Sequence, residues 1–285
     1  MGVKGAILAA GYGTRFLPVT RSIPKEMLPL IDRPALDFIV QEFIDAGIEE
    51  ILLISSHRKA AMESWFSPDA DLDRVLLRDG KTEAYAKARP PNVRVQIVHQ
   101  QRMRGTGDAL MLVREFAGED PVVVAFPDDL FGEPNCSKQL IETWKATGQS
   151  VLSVGDFSGR DVSRYGVVDG VMQEDFIQVR EVVEKPAIGT EPSHWVSLGR
   201  YLYTSDFWPN LAVLHAKHVG EGEFYPMGAM NQLAFDGKMA ARIVDAPRFD
   251  TGEPLGYLKT VVTFALARND IGPAFLQWLK ETVQE

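Results

Sequence analysis

The chain of 285 residues is long enough for one large α/β domain or two smaller ones. Its 45% hydrophobic and 24% charged residues are ordinary for a globular protein, and a net charge of −9 excludes a general nucleic-acid binder, which needs a basic surface. No apolar run approaches the roughly 20 residues of a membrane helix, and the single cysteine, Cys136, excludes an internal disulfide or a cysteine metal cage and suits a reducing cytoplasm.

The first apolar run, Val3 to Ala10, has strand length and reads as a buried strand of a parallel sheet, not as a signal peptide. It feeds Gly11-Tyr12-Gly13-Thr14-Arg15, where two glycines let the backbone turn and a ligand come close. Arg15, Arg21 and Lys25 follow, a set that suits a polyphosphate. Residues 1–34 carry five basic against two acidic side chains, a local positive site on an acidic body. The stretch is not a Walker loop, and the third glycine of a dinucleotide fingerprint would fall on Phe16. Pro18 and Pro24 predict a long irregular loop instead of an immediate helix.

Further along, helical spacing covers Ala35–Ala46, Glu50–Ser55 reads as a second buried strand, and Ala60–Phe66 as a short helix. Residues 67–92 are a polar, partly helical excursion. A strand at Val93–His99 leads into the loop Gln100–Gly107, a helix from Asp108 to about Phe116, and a buried strand Pro121–Phe126 that ends at Pro127-Asp128-Asp129. A helix at Cys136–Thr147 and a strand at Ser150–Val154 complete a βαβ-type succession. The second half has strands at Tyr165–Asp169, Gln178–Glu184 and Ser197–Thr204 without intervening helices. Helices follow at Ser205–Leu214 and Glu223–Asp236, a strand at Met239–Val244, and closing helices at Glu253–Ala267 and Ala274–Thr282.

Asp128 ends a buried strand, on the edge where α/β sheets bind ligands, and is a candidate Mg²⁺ ligand. Asp250 is a candidate second carboxylate. Either could equally cap a helix or turn, and Asp129 fits that plainer reading better. Glu184 can accept from sugar hydroxyls and Lys185 can hold a phosphate, although a surface ion pair has the same sequence. The Gln100 amide offers a donor and an acceptor to a pyrimidine edge, and Gly105, Gly107, Gly166 and Gly199 can admit a ligand to the backbone. His215 and His218 lack a metal-binding context and read as surface residues.

In these segments the chain resembles the sugar-1-phosphate nucleotidyltransferase family. The resemblance is carried, in order, by Leu8-Ala-Ala-Gly-Tyr-Gly-Thr-Arg-Phe-Leu-Pro18, Pro24-Lys-Glu-Met-Leu-Pro29, Pro127-Asp128, Tyr165-Gly-Val-Val168, Val183-Glu-Lys-Pro186, Gly199-Arg-Tyr201, and Asp250-Thr-Gly252 with Leu255-Gly-Tyr257. Pro-Lys-Glu-Met-Leu-Pro points to the uridylyltransferase branch. The resemblance implies an α/β, Rossmann-like nucleotidyltransferase fold with a mixed central β-sheet flanked by helices. The absence of a linker predicts a single domain, 1–155 mainly for the nucleotide and 156–285 for the sugar and the closing helices. The resemblance implies nucleotide contacts from Ala9, Ala10, Gly11, Gly13, Thr14, Gln100 and Gly105, with Glu26 also lining the site. Arg15 and Lys25 would hold the triphosphate and departing pyrophosphate. Gly166, Glu184, Lys185 and Gly199 would hold glucose 1-phosphate, Lys185 also serving catalysis, and Asp128 and Asp250 would bind Mg²⁺. The implied substrates are UTP and glucose 1-phosphate, in a cytoplasmic homo-oligomer. Two segments depart from the family pattern. Gly105-Thr-Gly-Asp108-Ala stands for Gly-Leu-Gly-His-Ala, and Glu223-Phe-Tyr-Pro226-Met-Gly-Ala stands where the family has Leu-Thr-Asp-Ala after the glutamate. They leave open dTTP, another sugar 1-phosphate, or a non-catalytic sugar-nucleotide-binding paralogue.

Overall fold

The computed structural model describes residues 2–220 and 222–283. Strand β1 (Lys4–Leu8) leaves the sheet into three successive 3₁₀ turns, Thr14–Phe16, Val19–Arg21 and Lys25–Met27. Pro18 and Pro24 stand immediately before the second and third turns, so the expected irregular loop is a chain of tight turns. A two-stranded hairpin follows, β2 (Pro29–Leu30) and β3 (Arg33–Pro34), and leads into α1 (Ala35–Asp45). Next come β4 (Glu50–Ser55) and α2 (Ala60–Trp65). The polar excursion condenses into α3 (Ala70–Arg78), capped by the Asp69 carboxylate accepting from the Asp71 and Leu72 amides, and α4 (Thr82–Ala88). The first half continues through β5 (Arg94–His99), α5 (Thr106–Ala117), β6 (Val122–Ala125), β7 (Asp129–Phe131), α6 (Cys136–Thr147) and β8 (Ser150–Asp156).

The second half supplies β9 (Gly166–Met172), β10 (Ile177–Glu184), β11 (Trp195–Tyr203), α7 (Phe207–Lys217), α8 (Met227–Phe235) and β12 (Met239–Ile243). It closes with β13 (Arg248–Asp250), α9 (Pro254–Ala267) and α10 (Gly272–Val283). Four helix starts differ from expectation by two residues or more, α7 beginning two residues late at Phe207 and α10 two residues early at Gly272. Helix α5 begins two residues early, at Thr106, and α8 begins only at Met227, because Glu223–Pro226 runs across the molecule as a loop.

One nine-stranded mixed sheet runs in the order β5-β4-β1-β6-β11-β8-β12-β10-β9. Strands β5, β4, β1 and β6 are parallel, so their carboxyl ends share one edge. Strand β11 lies antiparallel between β6 and β8, and inserts the second half of the chain into the middle of the sheet. Alternation along β1 sends Ala6 and Leu8 towards α5, α7 and α8, and Ile7 and Ala9 towards α1 and α6. Helices therefore cover both faces. Among the described residues no helix is long and apolar enough to cross a membrane.

The α1/α6 face contains a buried ion pair. Arg200 of β11 is 0% exposed. Its Nε and Nη2 donate to Glu42 Oε1 and Oε2 at 2.9 and 2.6 Å. Glu42 Oε1 also accepts from the amide and hydroxyl of Ser137 at 3.1 and 2.5 Å. Arg200 further donates to the Asp129 carbonyl at 3.2 Å, which ties α1, α6, β11 and β7 together. Removing one partner leaves an uncompensated charge, so Glu42→Leu should lower the unfolding free energy by about 3–5 kcal/mol. The double variant Glu42→Leu, Arg200→Met should recover most of it; urea unfolding of both variants checks this.

Candidate active site

A cleft of about 430 Å³ opens at the carboxyl edge of β1 and β6, where the first glycine loop leaves the sheet. Its wall includes Ala10, Gly11, Gly13, Thr14, Lys25, Glu26, Gln100, Gly105 and Asp128. A smaller pocket of about 160 Å³ adjoins it and adds Arg15, Phe16 and Gly252. Gly13 adopts φ +67°, the left-handed region that suits glycine, and its carbonyl accepts from Thr20 Oγ1 at 2.8 Å. Ala9 is buried behind the wall, its amide donating to Ile54 O at 2.8 Å. Arg21 is exposed on the second turn and lines neither pocket, so only Arg15 and Lys25 of the three expected cations face the site.

Lys25 Nζ contacts Asp128 Oδ2 at 2.7 Å, and Arg15 Nη1 donates to the Gly252 carbonyl at 3.2 Å. Burial works against a charge on Asp128, yet Lys25 and then Arg15 hold its carboxyl below the ordinary value. Asp250 reaches the same place from β13. A Cβ on Gly252 would lie 2.9 Å from Asp128 Oδ2, 3.1 Å from Asp250 Oδ1 and 3.3 Å from Arg15 Nη1. The missing methyl keeps a gap open between the two carboxylates. Among the described residues no cluster of three metal-binding side chains forms. Two carboxylates that leave other positions to phosphate oxygens match what Mg²⁺ accepts, so the residues fit that ion.

Asp129, expected to be an ordinary turn or cap residue, is instead a buried junction. Its Oδ2 accepts from the Gly199 amide at 2.7 Å, and its Oδ1 from Arg248 Nε at 2.7 Å. Burial raises its carboxyl above the ordinary value, with Arg248 opposing. The Gly199 amide is thereby engaged by protein. A Cβ there would sit 2.5 Å from Asp129 Oδ2, so the glycine makes room for this carboxylate.

Lys59, which the sequence reading did not single out, lies under the glycine loop. Its Nζ donates to the Ala9 carbonyl at 2.5 Å and to both Glu26 oxygens at 2.9 Å. Burial drives its ammonium below the ordinary value, and Glu26 only partly compensates. Glu26 is 1% exposed and is turned mainly towards Lys59. A lysine opening a helix after a buried strand was the available signal.

The second glycine loop is occupied by the protein itself. The Phe224 amide donates to the Arg104 carbonyl at 2.7 Å, and the Gly107 amide donates to the Phe224 carbonyl at 2.9 Å. Added Cβ atoms at Gly105 and Gly107 would each lie 2.5 Å from Phe224. These glycines therefore admit Phe224. The crossing segment brings Glu223 and Tyr225 into the cleft wall, the Tyr225 hydroxyl donating to the Glu223 carboxylate. His215 is also no bare surface residue: its Nε2 lies 3.2 Å from Asp108 Oδ1, and its ring packs on Phe224.

Gly166 pairs with Glu184 across β9 and β10. Glu184 and Lys185 side chains keep 50% and 66% of their exposure, with Lys185 Nζ 3.4 Å from Glu184 Oε1. Lys185 adopts φ +49°, a conformation that costs a non-glycine residue about 1–2 kcal/mol and that marks functional segments. Gly107→Ala should push Phe224 off the second loop, lowering stability by about 1–3 kcal/mol. It should also raise the KM for the nucleotide. Thermal unfolding and steady-state kinetics check both.

The sequence matches the nucleotidyl transferase family over residues 4–264. It is 36% identical over 282 residues to UTP–glucose-1-phosphate uridylyltransferase 2 of Staphylococcus saprophyticus, covering 98% of this chain and 97% of that one. A UTP-bound UGPase from Acinetobacter baumannii superposes with a TM-score of 0.89 at 30% identity, covering 99% of each chain. A UDP-glucose pyrophosphorylase complexed with UDP-glucose gives a TM-score of 0.80 at 28% identity, over 94% of this chain and 100% of that one. With the cleft at the sheet edge and a match spanning nearly its whole length, the chain belongs to the nucleotidyl transferase family.

Proposed function

We propose that the protein transfers UMP from UTP to glucose 1-phosphate, forming UDP-glucose and pyrophosphate. The observation that carries the reading is the convergence of Arg15, Lys25, Asp128 and Asp250 at the mouth of the cleft, in a chain similar along its length to UTP–glucose-1-phosphate uridylyltransferases. The nucleotide lies along Ala10, Gly11, Gly13, Thr14 and Gln100, in the half formed by residues 1–155. The sugar phosphate lies towards Gly166, Glu184 and Lys185, in the half formed by residues 156–285.

A phosphate oxygen of glucose 1-phosphate attacks the α-phosphorus of UTP in line, and the bond to pyrophosphate breaks. No protein nucleophile is needed; positioning and charge neutralisation supply the rate. Two unit anions 4 Å apart repel by about 4 kcal/mol at an effective dielectric of 20. Arg15 and Lys25 meet the triphosphate and stabilise the pyrophosphate as its charge develops. Lys185 meets the incoming sugar phosphate. Asp128 and Asp250 would hold Mg²⁺, which would supply neutralisation of phosphate charge. Lys25 already sits on Asp128, so it crosses only a short distance between carboxylate and phosphate. Lys59 keeps the loop in place through Ala9 and Glu26.

The same reading places the reaction in the cytoplasm, where the buried Cys136 thiol stays reduced. It assigns self-association to α9 and α10, whose Leu255, Leu258, Leu276 and Trp278 are exposed. A chain that sediments as a monomer at working concentration would remove that assignment.

Incubation with UTP, glucose 1-phosphate and Mg²⁺ should release pyrophosphate and form UDP-glucose, and a chelator should abolish both. Turnover with another sugar phosphate but none with glucose 1-phosphate would overturn the substrate. Lys25→Ala should reduce kcat by roughly 100-fold or more, as loss of one charge-stabilising donor does; near-normal pyrophosphate release would sink its role.

A further inference from the structure

Gln100 lies in the cleft wall and is 5% exposed. Its Nε2 donates to the Gly105 carbonyl at 3.3 Å and faces Asp108 Oδ2 at 3.4 Å. Both neighbours are acceptors only. Turning the amide over would set Oε1 against two oxygens, so chemistry dictates its orientation. Asp108 remains ionised in this role. Its Oδ1 accepts from Arg104 Nη2 at 2.8 Å and lies 3.2 Å from His215 Nε2. Burial opposes the charge, but His215, Gln100 and Arg104 together hold the carboxyl below its ordinary value. The opposite pole of the amide, Oε1, is left for the cleft, and among the described residues no donor engages it.

We propose that Asp108 is a positioning residue that locks Gln100 with its acceptor towards the base, so that the cleft selects an imide pyrimidine, uracil or thymine, over cytosine. The inference rests on the nucleotidyl transfer reading above and names a residue that enforces its choice of pyrimidine. An imide pyrimidine presents N3–H, a donor between two carbonyls. Cytosine presents a bare acceptor at N3, which would face the Gln100 acceptor with no proton between them. A site built to hydrogen-bond one partner rejects its mismatched analogue strongly, because a buried polar group is left unpaired. Asp108 itself is not part of the cleft wall and acts only through Gln100.

The test is the ratio of kcat/KM for UTP to that for CTP, with glucose 1-phosphate, in wild type, Asp108→Asn and Asp108→Glu. The asparagine can donate as well as accept, so one of the two acceptors that hold Gln100 is lost and the Gly105 carbonyl alone opposes its turning. The UTP:CTP ratio should fall at least about tenfold, through a higher KM for UTP and a gain with CTP. The glutamate remains an acceptor and should keep most of the ratio. A purely structural role would lower turnover of both nucleotides alike and leave the ratio unmoved. An unchanged ratio in folded Asp108→Asn, or an equal fall in Asp108→Glu, overturns the inference while leaving the reaction standing. A wild type inert towards UTP overturns both. If Asp108→Asn does not fold, Asp108→Ser, which can also donate, takes its place with the same criteria.

Discussion

The arrangement of this site depends on one buried carboxylate, Asp129. It accepts from Gly199 on β11 and from Arg248 on β13. Through these two bonds the short strand β7 is anchored to the central sheet on one side and to the late β13 on the other. The β7–β13 pairing sets Asp129 opposite Asp250. The Thr251 amide then donates to the Asp128 carbonyl at 2.8 Å. Two carboxylates 122 positions apart in the chain are held either side of Gly252 by this junction. A buried charge that lost Arg248 would be costly, so the junction is all-or-none. The Arg200–Glu42 pair secures it from beneath by donating to the Asp129 carbonyl.

A second constraint governs the Gln100 end of the cleft. The segment Glu223–Pro226 belongs in sequence to the start of α8, yet in space it completes the second glycine loop. Phe224 bonds to both Arg104 and Gly107 through its backbone, and its ring packs against His215 and His218. The glycines of the second loop therefore do different work from those of the first. Gly11 has nothing within 4 Å of a Cβ position and stands open to the cleft, whereas Gly105 and Gly107 are filled by Phe224. The two segments that depart from the family pattern, around Asp108 and around Pro226, thus lie against each other. Their changes are one local structure seen at two places in the chain.

Much of the fold was legible because apolar or alternating runs of strand length and apolar residues at helical spacing state their burial locally. The runs at β1, β4, β5 and β6 and the helices α1 and α6 follow from period and punctuation. The short strands β7 and β13 were not legible, since three residues carry no periodicity. The late start of α8 followed from Pro226 only once the path of Phe224 was known. Lys59 was missed because a lysine in a polar stretch reads as solvated until Glu26 and the Ala9 carbonyl are seen around it.

The sequence by itself determined a basic, glycine-bearing loop at the end of a buried strand, through residues whose properties are local. Gly13 tolerates a left-handed turn, Arg15 and Lys25 carry charge wherever they lie, and Asp128 ends a strand whose burial is written in its own side chains. The order of the motifs was enough to name the family that the chain resembles. Only the tertiary structure decided which acid is a ligand candidate and which is a strut, that Gly199 serves Asp129, and that Gln100 must face the cleft with its oxygen. These depend on partners from 5 to 119 positions away. The desolvation and hydrogen bonding that give a polar side chain its role are properties of the space around it.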